Sequence, residues 1–435
     1  MKKIMLITFA IAAATFAVFS SCGKTEAQVV GFDRAMMDTT IAPQADFYHY
    51  AVGKWLKENP IPEDQTLWGG FVILNEQTND QVKAIIDEAV KNAKPNPKEI
   101  IEKVGLFYSV GMDTAKIEEL GLIPLKEEIK RIGAIKTKSD LAKEIAHMHQ
   151  YTSYPLFFFY SSVDAKDSKN EIAGIWQGGL GLPDRDYYLN EDGRSKEIRE
   201  KYLSHVQNMF DLMGCEVSEQ RAKTIMNLET EIAKVSNTRL ENRNPQATYN
   251  KMEVSEIIKK APDFDWNLYL SGIEASDVGK ININQPKFIA GVSKLINKVS
   301  IDDWKVYLKW NLVRSMSPYL NNKFVEERFA FAGKFLSGQE VNRPRWKRVL
   351  SATNGVMGEA IGQLYVAKHF PPEAKERATK IVETLKVSMG ESIKNNTWMT
   401  DVTKTEALKK LAGFGVKIGY PDKWRDYSGL KIKES

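Results

Sequence analysis

Apolar residues recur along most of the chain at the three- and four-residue spacing of amphipathic helices. Helices are predicted in this way for the segments 79–94, 139–151, 218–235, 252–260, 300–321 and 373–395. Pro97 is expected to lie in the first turn of another helix, where proline is favoured. The 139–151 helix has helical spacing, but Ser139 has no Glu or Gln three residues later, so no capping box is predicted there. The pattern therefore predicts a mainly α body.

Patterns typical of strands are few and short. The aromatic run 154–160 and the segments 171–177 and 281–283 are candidates for pairing in a small sheet. No segment repeats at the period of a helical solenoid, and no Gly/Ser-rich linker divides residues 40–430. We expect one large, mainly α unit with a few short strands.

The N-terminal segment has a different pattern, with two lysines followed by a continuous apolar stretch over residues 4–20. This order is typical of a secretory signal peptide, and the stretch is too short for a settled membrane span. Two serines precede Cys22, which resembles a bacterial lipoprotein processing site. We expect a signal peptide at 1–21, a lipidated Cys22 with its tether at 22–43, and export to the bacterial cell envelope with a lipid anchor in the membrane. The alternative is a plain signal peptide in which Cys22 has no role.

Charge and cysteine content exclude several classes of protein. The formal net charge is +5, and acidic and basic residues are interspersed. No basic stripe of the kind that nucleic acid requires is present, so we expect no nucleic-acid partner. Two cysteines do not build a disulfide framework. Cys215, with no histidine nearby in sequence, is interpreted as a free structural thiol.

The histidines do not match a helical zinc motif. H-E-x-x-H requires two histidines four residues apart with a glutamate between them, and none of the five histidines has that spacing: His49, His147, His149, His205 and His369. Glu144 and His147 offer half of a metal site, although a surface salt bridge is the interpretation we favour. The chain is therefore predicted to contain no catalytic residue and no metal ligand.

Two carboxylates flank a cation in the segment Asp184-Arg185-Asp186, after a glycine-dense stretch. Pairs of acids can perform acid/base chemistry, but this segment is bounded by a proline and two tyrosines. We interpret it as a structural turn with a salt bridge. The glycines before it are not interpreted as a phosphate loop, because Pro183 lies two residues after the last of them and no helix begins there.

Several short motifs, in order along the chain, together resemble the neprilysin and endothelin-converting enzyme family of zinc metallopeptidases. The matching segments are 46–62, 68–71, 181–188, 249–252, 307–310, 344–348, 358–365, 398–407 and 419–424. The resemblance implies a large helical lobe of a two-lobed peptidase, which encloses a central cavity together with a thermolysin-like catalytic lobe. Peptides rather than folded proteins are the substrates that such a cavity implies.

In this family the catalytic zinc is held by H-E-x-x-H and a downstream glutamate, and the glutamate of the motif activates water. Those parts lie after the region matching 419–424. We therefore expect residues 44–430 to form the N-terminal helical domain, with the zinc-binding catalytic domain absent. The complete enzyme would use zinc, whereas this chain is predicted to bind none and to be inactive by itself.

The resemblance also suggests residues that face substrate. The family's segment matching 66–75 reaches the cavity, and Phe71 matches a residue that walls the pocket beside the scissile bond. Leu67 stands where the family has an arginine that grips a substrate's C-terminal carboxylate, which favours internal cleavage here. Leu67, Trp68 and Phe71 are thus the candidate cavity residues, and simple core packing is the alternative.

Three hypotheses remain open from the sequence. The first is part of an exported zinc metalloendopeptidase, for which a large exposed apolar face is expected where the catalytic lobe docks. The second is a non-catalytic peptide-binding lipoprotein, which should bind peptides and fold without another lobe. The third is a scaffolding lipoprotein, which should not bind peptides.

Overall fold

A computed structural model describes residues 33–433 of the protein, and the chain divides after Pro62 into two compact units. The predicted signal peptide and Cys22 lie outside the described residues. Within residues 33–433, no helix is both long and apolar enough to cross a membrane.

The first unit contains one α-helix, α1 (Phe47–Glu58), among its described residues. Asp46 caps this helix, because its Oδ1 accepts a hydrogen bond from the backbone N of His49 at 3.0 Å. Asp38 is buried and accepts a hydrogen bond from Lys57 Nζ at 2.6 Å. A side chain at Gly53 would place its Cβ 2.9 Å from Asp38 Cβ, so this close approach requires glycine.

The second unit is built mainly from helices. Its first helices are α2 (Gly70–Lys91), α3 (Ile100–Met112), α4 (Thr114–Leu120), α5 (Lys126–Gly133), α6 (Lys138–Tyr151), α7 (Asp186–Leu189), α8 (Gly193–Leu212) and α9 (Ser218–Val235). They are followed by α10 (Val254–Lys260), α11 (Trp266–Gly272), α12 (Pro286–Lys298), α13 (Ile301–Met316), α14 (Asn322–Arg328), α15 (Arg345–His369), α16 (Pro372–Asn395) and α17 (Asp401–Ala412). A π-helical turn, Phe329–Leu336, continues α14.

Most predicted helices are confirmed, but the predictions for how two of them begin, α6 and α3, are wrong. Helix α6 does have a capping box, formed by Thr137 and Asp140 rather than by Ser139. Pro97 lies before α3 rather than in its first turn. That helix begins at Ile100 because Glu102 Oε2 accepts hydrogen bonds from the backbone N of Lys98 and Glu99.

The three predicted strand segments form one small sheet with a fourth, short strand. The strands are β1 (Phe157–Asp164), β2 (Asp167–Gln177), β3 (Lys251–Met252) and β4 (Ile281–Ile283), in the order β1-β2-β4-β3. β2 pairs antiparallel with β1 and parallel with β4. The first strand begins three residues later than predicted, because Pro155 and the positive φ of 64° at Leu156 interrupt extended pairing.

Two apolar cores hold the second unit together. The larger one extends from Leu125 to Phe331 and contains the fully buried side chains of Trp304, Trp310 and Tyr202. The smaller core joins α2, α3 and α15, and Tyr427 packs into it. Complete burial of a large apolar side chain contributes roughly 1.5–3 kcal/mol, so the larger core dominates the stability of this unit.

The long helices α16 and α17 contain no buried residue, a property they share only with the short α4 among the α-helices of residues 33–433. Their exposed apolar side chains include Ile381, Leu385, Met389 and Val402, with exposed fractions of 55% to 76%. Together these side chains form an apolar surface on the described part of the chain.

Candidate functional site

A cavity of about 1210 Å³ opens in the second unit. Its walls come from the end of β2 and the loop that follows it, the beginning of α8, the C-terminal end of α13, and the π-helical turn after α14. This volume is large enough to hold a drug-sized ligand or a short peptide.

The loop after β2 reaches the cavity wall through two glycines that have no room for a side chain. Gly179 adopts a φ of +83°, and a Cβ there would lie 2.5 Å from Tyr307 Oη. A Cβ on Gly181 would overlap Tyr202 Oη. These glycines therefore permit close packing of the loop against tyrosines of the core. The sequence pattern did not predict this role for them.

Behind this wall of the cavity, the fully buried carboxylate of Glu229 in α9 accepts hydrogen bonds from residues of the core. Its Oε2 accepts hydrogen bonds from Tyr188 Oη at 2.6 Å and Tyr202 Oη at 2.7 Å, and its Oε1 accepts one from Trp310 Nε1 at 3.1 Å. Tyr188 Oη in turn accepts hydrogen bonds from the backbone N of Gly181 and of the residue that follows it. Burial raises the pKa of Glu229, while Arg314 and the tyrosine hydrogen bonds oppose that rise.

The acid pair in the following turn is structural, as predicted. Asp184 Oδ1 accepts a hydrogen bond from the backbone N of Asp186 at 2.8 Å, and Asp184 forms an ion pair with Arg239. Arg185 Nη1 donates to the carbonyl of Ser236 at 2.8 Å. These partners hold the turn at the rim of the cavity.

Arginines dominate the charge of the cavity. One carboxylate, that of Asp184, lines it together with five guanidinium groups: Arg185, Arg194, Arg239, Arg314 and Arg328. Three of the five have a carboxylate within 4 Å, namely Arg185, Arg194 and Arg239. The cavity therefore carries a positive field that favours anionic ligands.

The remaining two arginines lack a carboxylate within 4 Å among residues 33–433. Arg314 donates to the carbonyl of Leu180 at 2.6 Å and to Asn311 Oδ1 at 3.2 Å. The side chain of Arg328 makes no hydrogen bond in the described chain. The loss of solvent inside the cavity lowers the pKa of Arg328, and the positive charge of Arg314 lowers it further. A bound carboxylate would relieve this repulsion.

Comparison with known proteins places this geometry in a family. The family model described as "Peptidase family M13", in its N-terminal part, matches residues 43–421. The chain belongs to peptidase family M13. Human endothelin-converting enzyme 1 is 31% identical over 400 residues, which cover 89% of this chain and 51% of the human protein.

Two further proteins are similar to this chain over most of its length. The endothelin-converting enzyme homolog of Locusta migratoria is 31% identical over 451 residues, covering 96% of this chain and 60% of the locust protein. The crystal structure of Mycobacterium tuberculosis zinc metalloprotease ZMP1 in complex with an inhibitor has a TM-score of 0.87 and 31% identity, covering 93% of this chain and 61% of that one. The resemblance to the neprilysin family and the mainly α fold are confirmed. The chain spans roughly half to three fifths of the length of these relatives.

The histidines of this M13 chain do not fit the family's catalytic zinc. His149 is buried, with Nδ1 bonded to Tyr269 Oη at 2.8 Å and Nε2 to the carbonyl of Pro155 at 2.9 Å. His205 Nδ1 lies 2.8 Å from Glu327 Oε1. No two histidines in the sequence have H-E-x-x-H spacing, so no catalytic step follows from them.

The predicted salt bridge between His147 and Glu144 is wrong, because His147 pairs with a different glutamate. His147 Nε2 lies 2.8 Å from Glu128 Oε2 on the neighbouring helix α5. Glu144 is buried beside this pair, and burial raises its pKa to about 7. Cys215 has no disulfide partner among residues 33–433, and it lies half-buried against the larger core.

The candidate substrate residues lie away from the arginine-lined cavity. Leu67 and Phe71 have exposed fractions of 59% and 93%, which rules out core packing for them, and Trp68 is half-buried. None of the three lines the cavity. Their role beside a scissile bond stays a prediction. Arg314 and Arg328 were missed because no short motif marks an arginine that points into a cavity.

Proposed function

We propose that this chain is the substrate-enclosing lobe of an exported zinc metalloendopeptidase that cleaves peptides. Hydrolysis would require a zinc-binding catalytic lobe, because no H-E-x-x-H motif occurs in residues 1–435. Residues 1–21 would direct export, and a lipid on Cys22 would hold the protein at the cell envelope. Membership of family M13 and the likeness to a protein named a zinc metalloprotease support the enzyme class.

The observation that carries this proposal is the apolar surface of α16 and α17, which stays exposed among residues 33–433. Ile381, Leu385 and Met389 follow one another at four-residue spacing along one face of α16, and each is more than half exposed. Exposed apolar patches of this kind mark interaction surfaces. We assign the catalytic lobe as the partner that covers it, with Leu67, Trp68 and Phe71 facing the peptide in the closed enzyme.

The arginine-lined cavity supplies the second part of the proposal, a site for an anionic peptide group. Arg314 and Arg328 present guanidinium groups without a carboxylate partner among residues 33–433, and a guanidinium binds carboxylates in a bidentate geometry. A peptide's C-terminal carboxylate or an acidic side chain fits this chemistry. Peptides with such a group should therefore bind more tightly than neutral ones.

A binding measurement with the exported form of the chain tests the cavity. The fluorescence anisotropy of a labelled ten-residue peptide with acidic side chains is followed during titration with wild-type protein and with the Arg314→Met/Arg328→Met double variant. The double variant should bind at least tenfold more weakly, about 1.4 kcal/mol. Arg377→Met, at an exposed arginine on α16, serves as the matched control and should bind normally. Equal binding by all three proteins would exclude the cavity as the peptide site.

The second candidate function is a non-catalytic peptide-binding lipoprotein. One observation favours it: the cavity and the larger core are both complete within the second unit. This alternative predicts peptide binding without hydrolysis in the native protein, and it gives no role to the apolar surface of α16 and α17.

A further inference from the structure

Three potential metal ligands from two helices lie together outside the cavity. Glu128 comes from α5, and Glu144 and His147 lie three residues apart on α6. One ligand atom from each residue lies within 4.8 Å of the other two. His147 Nε2 and Glu128 Oε2 already approach to 2.8 Å, so the three side chains converge on a common point.

The carboxylate of Glu144 is the unexplained member of this cluster. Its side chain is 5% exposed, and its Oε1 is buried without a hydrogen-bond partner. The nearest cation, Arg131 Nε, lies 3.9 Å from Oε2, beyond hydrogen-bond distance. A buried carboxylate that accepts no hydrogen bond is costly to the fold. A bound cation would satisfy it.

The two helices hold these ligands on a rigid support. The Thr137–Asp140 capping box fixes the beginning of α6, and only four residues separate that helix from α5. Ile132 of α5 and Ile145 of α6 are fully buried in the larger core. The His147 ring packs against Tyr151 at a centroid distance of 4.8 Å. Such support orients ligand side chains in metal sites.

We propose that Glu128, Glu144 and His147 form a binding site for a divalent transition-metal ion, with Zn²⁺ as the best match. One imidazole and two carboxylates suit zinc, whereas calcium and magnesium prefer oxygen ligands alone. Ligand atoms around a tetrahedral zinc lie roughly 3.4 Å apart, given bonds of about 2.1 Å. Binding therefore requires His147 Nε2 and Glu128 Oε2, now 2.8 Å apart, to separate slightly around the ion, and it leaves a fourth position for water. This site clamps α5 to α6 and is separate from the family's catalytic zinc.

Arg131 is the residue that competes with the metal. Its Nε lies 3.8 Å from Glu128 Oε2 and 3.9 Å from Glu144 Oε2. Both distances exceed that of a direct hydrogen bond, and half of the Arg131 side chain is exposed. The guanidinium can move into solvent when a cation occupies the cluster.

Titration with Co²⁺ tests the site, because cobalt in a four-coordinate zinc site gives visible absorption bands. The metal-free full chain should bind one Co²⁺ with these bands, and Zn²⁺ should displace it and raise the melting temperature. Glu144→Gln and His147→Gln should each weaken binding at least tenfold. Glu327→Gln removes the carboxylate from the similar His205–Glu327 pair, which also spans 2.8 Å, and should leave cobalt binding unchanged.

A second variant keeps the test decisive if Glu144→Gln does not fold. Glu128 is 21% exposed, so Glu128→Gln should fold normally and still lose cobalt binding. The proposal is overturned if the folded wild-type chain gives no stoichiometric cobalt spectrum, or if Glu128→Gln and His147→Gln bind cobalt as tightly as wild type.

Discussion

Helices α9 and α16 present the same amphipathic pattern in opposite surroundings. In α9 the apolar stripe contains Ile225, Leu228 and Ile232, and these side chains are 0% to 4% exposed. In α16 the stripe contains Ile381, Leu385 and Met389, which are 55% to 63% exposed. The first stripe packs against α8, α12 and α13, whereas the second has no buried residue.

This difference shows that apolar spacing predicts a helix but not the partner that covers it. A helix in a globular protein gains most of its stability from packing of its apolar face. Helix α9 obtains that packing from the larger core of the same unit. In our proposal α16 obtains it from the catalytic lobe.

The largest expected difference between α9 and α16 is in the free energy of unfolding lost when an isoleucine of the apolar stripe is replaced by alanine. Ile232→Ala in α9 should lower the free energy of unfolding by about 2–5 kcal/mol, because it leaves a cavity in a fully buried stripe. The same substitution in α16, Ile381→Ala, should change it by less than about 0.5 kcal/mol, because that side chain is exposed. Urea denaturation of the two variants measures both values. Similar losses of unfolding free energy in the two variants would show that the two stripes are equally packed, which contradicts the difference described here.

Acidification should also act on the larger core, through His149. Its pKa is lowered to about 4 by burial, below an ordinary value near 6.5. The unfolded chain then binds more protons between these values, so stability should fall by about 3 kcal/mol in total as pH drops from about 6.5 to 4. His149→Gln should remove this contribution to the slope in pH-dependent denaturation, and the exposed His369→Gln should retain it. An unchanged slope in His149→Gln would assign the pH dependence to other groups.

A smaller loss of stability is expected for a substitution in the loop where the cavity wall packs against the core. Gly181→Ala should cost about 1–3 kcal/mol, because the added Cβ overlaps Tyr202 Oη next to Glu229. Gly193→Ala, at the beginning of α8, meets nothing within 4 Å and should be neutral or slightly stabilising. Thermal denaturation of the two variants provides the measurement. A fully stable Gly181→Ala would mean that the wall loop can move away from the core.

The smallest effect on stability should come from the apolar surface itself. Replacing Ile381, Leu385 and Met389 together by lysine should change the free energy of unfolding by less than about 0.5 kcal/mol. It should also reduce binding of a hydrophobic dye and self-association, because the exposed apolar patch is removed. Dye fluorescence and sedimentation velocity measure these outcomes. A large loss of stability would show that the face is already packed within the chain.

Local pattern was enough for much of the fold. Helix α9 and strand β4 have the predicted boundaries. The apolar spacing of α9 and the residues on either side of β4 mark these boundaries within the local sequence. The beginning of β1 was misplaced because the backbone at Leu156 adopts a positive φ that apolar composition does not indicate. The cap of α6 was missed because it involves Thr137, which precedes the apolar stripe.

The sites were less predictable, because they depend on how helices pack. Arg314 and Arg328 lie on α13 and on α14, and the tertiary fold brings them to one cavity. Glu128 and Glu144 are likewise on separate helices, so the sequence showed only the pair within α6. Spacing along one helix is visible in sequence, whereas the angle between two helices is set by side-chain packing.

The most direct test of the proposed function is the activity of the protein from its native cells. An antibody raised against residues 33–433 is used to capture the native protein, and hydrolysis of a quenched fluorescent peptide is measured with and without a chelator. Our account predicts peptide cleavage by the captured protein, abolished by the chelator and restored by zinc. Captured protein that binds the peptide without cleaving it would contradict the account and establish the non-catalytic lipoprotein in its place.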